Sequence, residues 1–270
     1  MTRLAALLLA LAACARPPIV DPAGMRPGEV LYVAESGGLV PRQSAVRPAA
    51  WTLYGDGRVF LPAPSTAVHP PPALPALTVL RLRYGAVERI AAAAEAAGLA
   101  APDADLGEPP VTDTPTTVFR YTRRDETVVV RRVYALDVPA DGLTAEQRAA
   151  RQRLAELRAH LTDLNGWLGA GTVVGEERYV PEEVAAYAVP YAPPRGAPAP
   201  AAVAWRGPEL AVAAETAYGR CTVLVGGVLA AVRADLARAT AATRWHTARG
   251  DWSIAFRPLL PHEVGCVPPD

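Results

Sequence analysis

No apolar stretch in this chain reaches the roughly eighteen residues that a helix needs to cross a bilayer, so its apolar side chains must be buried against one another. The first run, Leu4 to Ala13, is ten residues long and follows Met1-Thr2-Arg3. As a helix it would span about 15 Å, half of a hydrocarbon core of about 30 Å. A short positive stretch, a short apolar stretch and small residues at its end have the form of a cleaved export signal, residues 1–13. The part expected to fold is then the remaining 257 of 270 residues, beyond the membrane. That length suits one large domain or two small ones.

The apolar run ends Leu11-Ala12-Ala13-Cys14. This resembles the lipobox of bacterial lipoproteins, where small residues precede a cysteine that is diacylated and becomes the new N-terminus. A thiol nucleophile takes the lipid, and small residues let the signal peptidase reach the bond. The resemblance implies lipid on Cys14 and a place on the extracytoplasmic face of the cell membrane. Two acyl chains anchor stably where one is marginal. Residues 14–27 are rich in proline and glycine without periodicity and read as a flexible tether.

Apolar residues make up 51% of the chain, ample for a core. The formal charge is zero, and −1 once Arg3 is removed. All 27 basic residues are arginine, and with heavy alanine, proline and glycine usage they read as the coding bias of a high-GC genome. No basic stripe points to nucleic acid, and export argues against it independently. With Cys14 acylated, Cys221 and Cys266 remain as a pair in an oxidising compartment, which predicts a disulfide across 45 positions. Free thiols or a metal site are weaker alternatives. Neither cysteine sits in a C-x-x-C, and no nearby histidine completes a ligand spacing.

Strand propensity marks residues 28–33, 77–82, 183–189 and 221–225. Trp51 to Phe60 reads as a hairpin turning at Asp56-Gly57, and 116–121 with 127–134 as a second. Val87, Ile90, Ala94 and Ala97 recur at helical spacing, ended by Gly98. Thr144 and Gln147 form a capping box before the stripe Leu154, Leu157, Leu161 and Leu164, which Asn165-Gly166 should stop. Arg148, Arg151, Arg153 and Arg158 lie largely off that stripe and read as solvated. Leu229, Val232, Leu236 and Ala239 stripe a further helix, and 252–257 alternates as the last strand. Hairpins alternating with single helices predict an α+β fold, antiparallel sheet with about three helices on one face. The expected division is a main α+β part over 28–190, a Pro-rich linker or loop over 191–204, and a C-terminal disulfide-bonded α+β part over 205–270. Loop closure between Cys221 and Cys266 predicts that their two strands run antiparallel, with room for another strand between them.

From Leu53 onward the chain resembles uncharacterised exported lipoproteins of high-GC Gram-positive bacteria. The pieces that carry the likeness are Leu53 to Val59, Ala97-Gly98-Leu99, Thr243-Arg244-Trp245, and Phe256 to Glu263 before Cys266. With the intervening helices they cover most of residues 28–266. The resemblance implies an exported lipoprotein with a C-terminal disulfide, and no activity.

Candidate chemistry is sparse. Of the histidines His69, His160, His246 and His262, the third falls near Asp251 and Ser253, but no nucleophile elbow or glycine-flanked serine accompanies them. His262-Glu263 lacks a second ligand pair. Glu35-Ser36-Gly37-Gly38 reads as a turn, and Glu176-Glu177 and Glu182-Glu183 as solvated charges. No phosphate loop or dinucleotide fingerprint appears, so no cofactor and no metal are implied. Trp205, Trp245 and Trp252 are expected to fill a core around Cys221–Cys266, with an exposed aromatic surface as the alternative. These observations favour a non-enzymatic binding or structural module of the envelope. Its partners are the membrane, through the anchor, and a protein, glycan or lipid. An envelope hydrolase with dispersed catalytic residues is the alternative.

Overall fold

The computed structural model describes residues 28–38, 46–64, 69–101, 104–139, 141–193, 196 and 199–266. Cys14, the export signal and the tether lie outside the described residues. The order of elements is β1 (Glu29–Ser36), β2 (Trp51–Tyr54), β3 (Arg58–Pro62), β4 (Leu77–Leu82), α1 (Ala86–Ala96), β5 (Thr116–Thr122), β6 (Val128–Tyr134), α2 (Ala145–Thr162), α3 (Leu164–Leu168) and β7 (Val173–Arg178). There follow β8 (Glu183–Pro190), β9 (Ala202–Ala204), β10 (Ala214–Thr216), β11 (Gly219–Val225), α4 (Gly226–Leu236), β12 (Arg244–Thr247) and β13 (Gly250–Pro258). The fold is α+β, as the hairpin-and-helix pattern predicts.

Local signals account for many of the boundaries. The β2–β3 hairpin turns where Gly57 takes φ +82°, its amide donating to the Tyr54 carbonyl. Thr144 accepts from the Gln147 amide at 3.2 Å, and the Gln147 side chain accepts in return from the Thr144 amide at 2.9 Å. Helix α1 closes on Gly98, after which the Leu99 amide reaches back to the Ala94 carbonyl and the Leu99 side chain is buried. Helix α2 differs from expectation at its end. It breaks at Asp163, whose carboxylate caps Gly166, and α3 then runs through Asn165-Gly166.

Seven strands form one sheet in the order β6-β5-β1-β2-β3-β4-β7, all antiparallel neighbours. Alternation sends Leu31, Val33, Leu53 and Val59 to one face, where they meet Ile90, Leu154, Leu157 and Leu161 of α1 and α2. Tyr54, Phe60, Leu77 and Val79 turn to the other face. The second sheet runs β10-β11-β8-β13-β12-β9, mixed because β9 pairs parallel to β12. Helix α4 covers one face of it through Leu229, Val232 and Leu236. The two sheets are tied together by the β3–β4 connection and again by the segment after β13. The β3–β4 connection crosses over, so that the Ala73 amide bonds the Ala239 carbonyl and Ala241 bonds Pro71. After β13 the chain returns, and Leu260 is buried among Tyr54, Phe60, Leu77 and Val79.

Several expectations are corrected. Strand β8, placed by the sequence at the end of the first part, lies inside the second sheet between β11 and β13. The expected linker over 191–204 ends in β9. The Cys221–Cys266 bridge is present, with Cα atoms 6.1 Å apart. Its strands, however, are parallel: β11 and β13 each run antiparallel to β8. Strand β12, in a stretch without strong alternation, supplies an additional chain reversal between them. The return is short because Cys221 sits opposite Tyr187, itself opposite Ala255, three residues before Pro258. Three residues of strand cover about 10 Å, which the residues after Pro258 span easily. Trp245 and Trp252 are buried as expected, but under α4; the disulfide lies on the opposite face with Val46, Tyr187 and Ala255. Arg151, read as solvated, is buried.

Candidate binding cleft

Helices α1 and α2 cover only part of the first sheet's inner face. Beside the last turn of α2 and the start of α3 a cleft of about 610 Å³ remains, a size typical of small-molecule sites. Its floor is apolar: Val33 of β1, Trp51 of β2, Leu61 of β3, Leu80 of β4 and Val173 of β7. Strand alternation places these side chains there, because each strand of a one-sided sheet sends every second residue inward. Leu161 and Leu164 form the helical wall, and Glu35, Arg158, Asp163, Asn165 and Glu176 form the polar rim.

The rim is held by specific contacts. Arg158, on α2, pairs with Glu35 at the end of β1 at 3.3 Å and also with Asp137. The Asn165 side chain accepts from the Val173 amide at 3.1 Å, fixing the start of β7 against α3. The residues read as a turn (Glu35), a helix stop (Asn165) and a solvated charge (Glu176) thus meet around one opening. Sequence reasoning missed the cleft because its floor reads as ordinary core; the partly exposed Leu61 and Leu80 are distinguishable only once helix coverage is known.

A second polar cluster joins the sheets. Glu29 accepts from Nε and Nη2 of Arg120, each at 2.7 Å, and its other neighbour is His262 Nε2 at 3.1 Å. His262 Nδ1 meets the Tyr54 hydroxyl. A carboxylate on Nε2 requires the proton there, so Nδ1 accepts from Tyr54. Burial lowers the His262 pKa from its ordinary value, and burial raises that of the Tyr54 hydroxyl. The order carboxylate, imidazole, hydroxyl imitates a catalytic relay, but its hydroxyl end, Tyr54, is buried at 1% exposure. The neighbouring Glu263 is committed elsewhere, to the buried Arg257 and to the Leu260 amide. His262 and Glu263 therefore do not act as a joint ligand pair. Arg257 also donates to the Val46 and Arg47 carbonyls.

The other histidines are dispersed. His69 is exposed in the β3–β4 connection, and His160 lies flat on Trp167 at 4.8 Å on the surface. His246 bonds Asp251 at 2.7 Å across the β12–β13 pair, while Arg244 takes the other carboxylate oxygen at 3.5 Å. Register sets Ser253 opposite Arg244 rather than His246, and His246 is exposed on open surface. None of the three residues that fall close in sequence lines the cleft over the first sheet. Among the described residues no group of three or more His, Cys, Asp or Glu is placed to hold a metal ion, and no helix is long and apolar enough to cross a membrane.

No protein-family model matches the chain, and neither a curated protein nor a solved structure matches it.

Proposed function

We propose that this chain is an exported lipoprotein, acylated on Cys14, whose folded part is a non-enzymatic binding module at the extracytoplasmic face of the membrane. The cleft over β1, β2, β3, β4 and β7 is its ligand site. One observation carries this reading: the cleft has an apolar floor with a small number of polar groups around its mouth, which is the chemistry of recognition pockets. The lipobox motif carries the anchoring. An anchor on residue 14 and a tether to residue 28 would hold such a site close to the membrane surface without fixing its orientation.

Two measurements on the same protein test the two halves. Cys14→Ala should abolish labelling by a palmitate analogue and release the protein from the membrane; unchanged labelling and partition would overturn the anchor. The neutral dye Nile red should bind the purified protein with a single site, and Leu80→Trp, which fills the floor, should remove that binding while leaving the circular dichroism spectrum unchanged. Dye binding that survives the filled floor would overturn the site.

A further inference from the structure

The cleft has two unlike ends. Its lining runs from Thr117 of β5 across β1, β2, β3 and β4 to β7, five strand spacings, or about 24 Å. At the β1 end Glu35 is neutralised by Arg158, which Asp137 also holds. Among the described residues Arg158 is the only basic one in the lining, against the carboxylates of Glu35, Asp163 and Glu176. At the β7 end Asp163 and Glu176 have no ion-pair partner among the described residues. Asp163 spends one oxygen as the acceptor for the Gly166 amide at 2.8 Å. The bond between Asn165 and Val173 keeps this part of the wall against β7, so the two carboxylates share one end of the opening. Of the neighbouring charges, Arg81 and Glu177 alternate to the other face of the sheet and pair there at 2.7 Å, while Arg178 follows Glu176 on the same face of β7 but lies outside the lining of the cleft.

We infer that the cleft takes an amphiphile with a cationic head, a long alkyl chain bearing an ammonium or guanidinium group. This rests on the reading of the cleft as a binding site. The chain would lie across Val33, Trp51, Leu61 and Leu80, and the cation beside Asp163 and Glu176. An anionic head would meet two like charges at that end, and at the other an arginine already shared by two carboxylates. Charge complementarity therefore favours the cation and disfavours a fatty acid.

The test is calorimetric titration of the purified full chain with dodecylammonium, dodecanol and dodecanoate, which share one tail and differ in charge. Dodecylammonium should bind about tenfold more tightly than dodecanol, and dodecanoate most weakly. The double variant Asp163→Asn, Glu176→Gln should erase the preference for the amine and leave dodecanol affinity unchanged; the asparagine keeps an oxygen for the Gly166 amide. The preference should also shrink as salt is raised. Equal affinity for amine and alcohol, tighter binding of dodecanoate, or a preference that survives the double variant would overturn the inference. In those cases dodecanol and Nile red still bind, and the cleft remains a site for an apolar ligand. Failure of all three compounds and of the dye would overturn the site itself.

Discussion

Arg151 is 3% exposed, and every hydrogen bond it makes goes to a backbone carbonyl: Leu106, Gly107, Tyr134 and Ala135. It pins two loops to α2, one before β5 and one after β6. Removing it takes the guanidinium donor from four carbonyls, of which that of Ala135 still receives the Val138 amide at 3.2 Å, so Arg151→Ala should cost about 2–4 kcal/mol of stability, read as a lowered urea midpoint. Arg151→Met restores much of the aliphatic packing but no donor, and should recover little. A Met variant as stable as the original would show that packing, not the carbonyls, sets the cost. Nothing local marks this arginine among its neighbours on α2. Arg158, two turns further along the same helical face, is spent on Glu35 and Asp137 at the mouth of the cleft. Two residues of one type, seven positions apart, differ in role because of what the sheet and loops bring opposite them.

At the scale of elements, the stretch after β13 does much of the joining. Leu260 fills the outer face of the first sheet, Tyr179 donates to the Leu259 carbonyl at 2.8 Å, and Cys266 fastens the end to β11. The bridge closes 45 positions, for which loop-closure entropy gives about 4 kcal/mol at most. Cys221→Ser with Cys266→Ser should therefore lower stability by about 2–4 kcal/mol in urea unfolding, and peptide mapping without reduction should recover the two cysteines as one linked fragment. Free thiols in the purified protein, or an unchanged midpoint, would contradict this. Elements with a strong local signature were legible beforehand: the Asp56-Gly57 hairpin, the capping box at Thr144 and the glycine stop at Gly98. Strands β7, β9, β10 and β12 were not. Each is short or weakly apolar, and β9 and β10 have only three residues apiece, so pairing with neighbours rather than side-chain pattern makes them strands.

For the whole molecule, pH should act through the joint between the sheets. His262 faces Tyr54 and Glu29 from the first sheet, Arg120 beyond Glu29, and Glu263 and Arg257 from its own side. Burial outweighs these carboxylates and holds its folded pKa below the ordinary 6.5. The unfolded chain therefore binds the proton first as pH falls. Stability from the neutral imidazole is fully present above about 6.5 and is lost below it, until the folded value is also passed. Urea unfolding between pH 7.5 and 5 should show a steeper loss for the original protein than for His262→Gln. Parallel curves would remove His262 from the account.

The sequence by itself determined the α+β class, the main hairpins, the three longer helices and the pairing of the two cysteines, because caps, turns, periodicity and cysteine count are local or countable. Only the tertiary structure decided that β8 belongs to the second sheet, that β11 and β13 run parallel, that Arg151 and Arg257 are buried, and that the inner face of the first sheet is left partly open as a cleft. These depend on which segments meet across long stretches of chain. Neither hydrophobic pattern nor propensity encodes the opposite partner, so a strand's neighbours, a side chain's burial and the reach of a helix over a sheet are settled only when the whole chain packs.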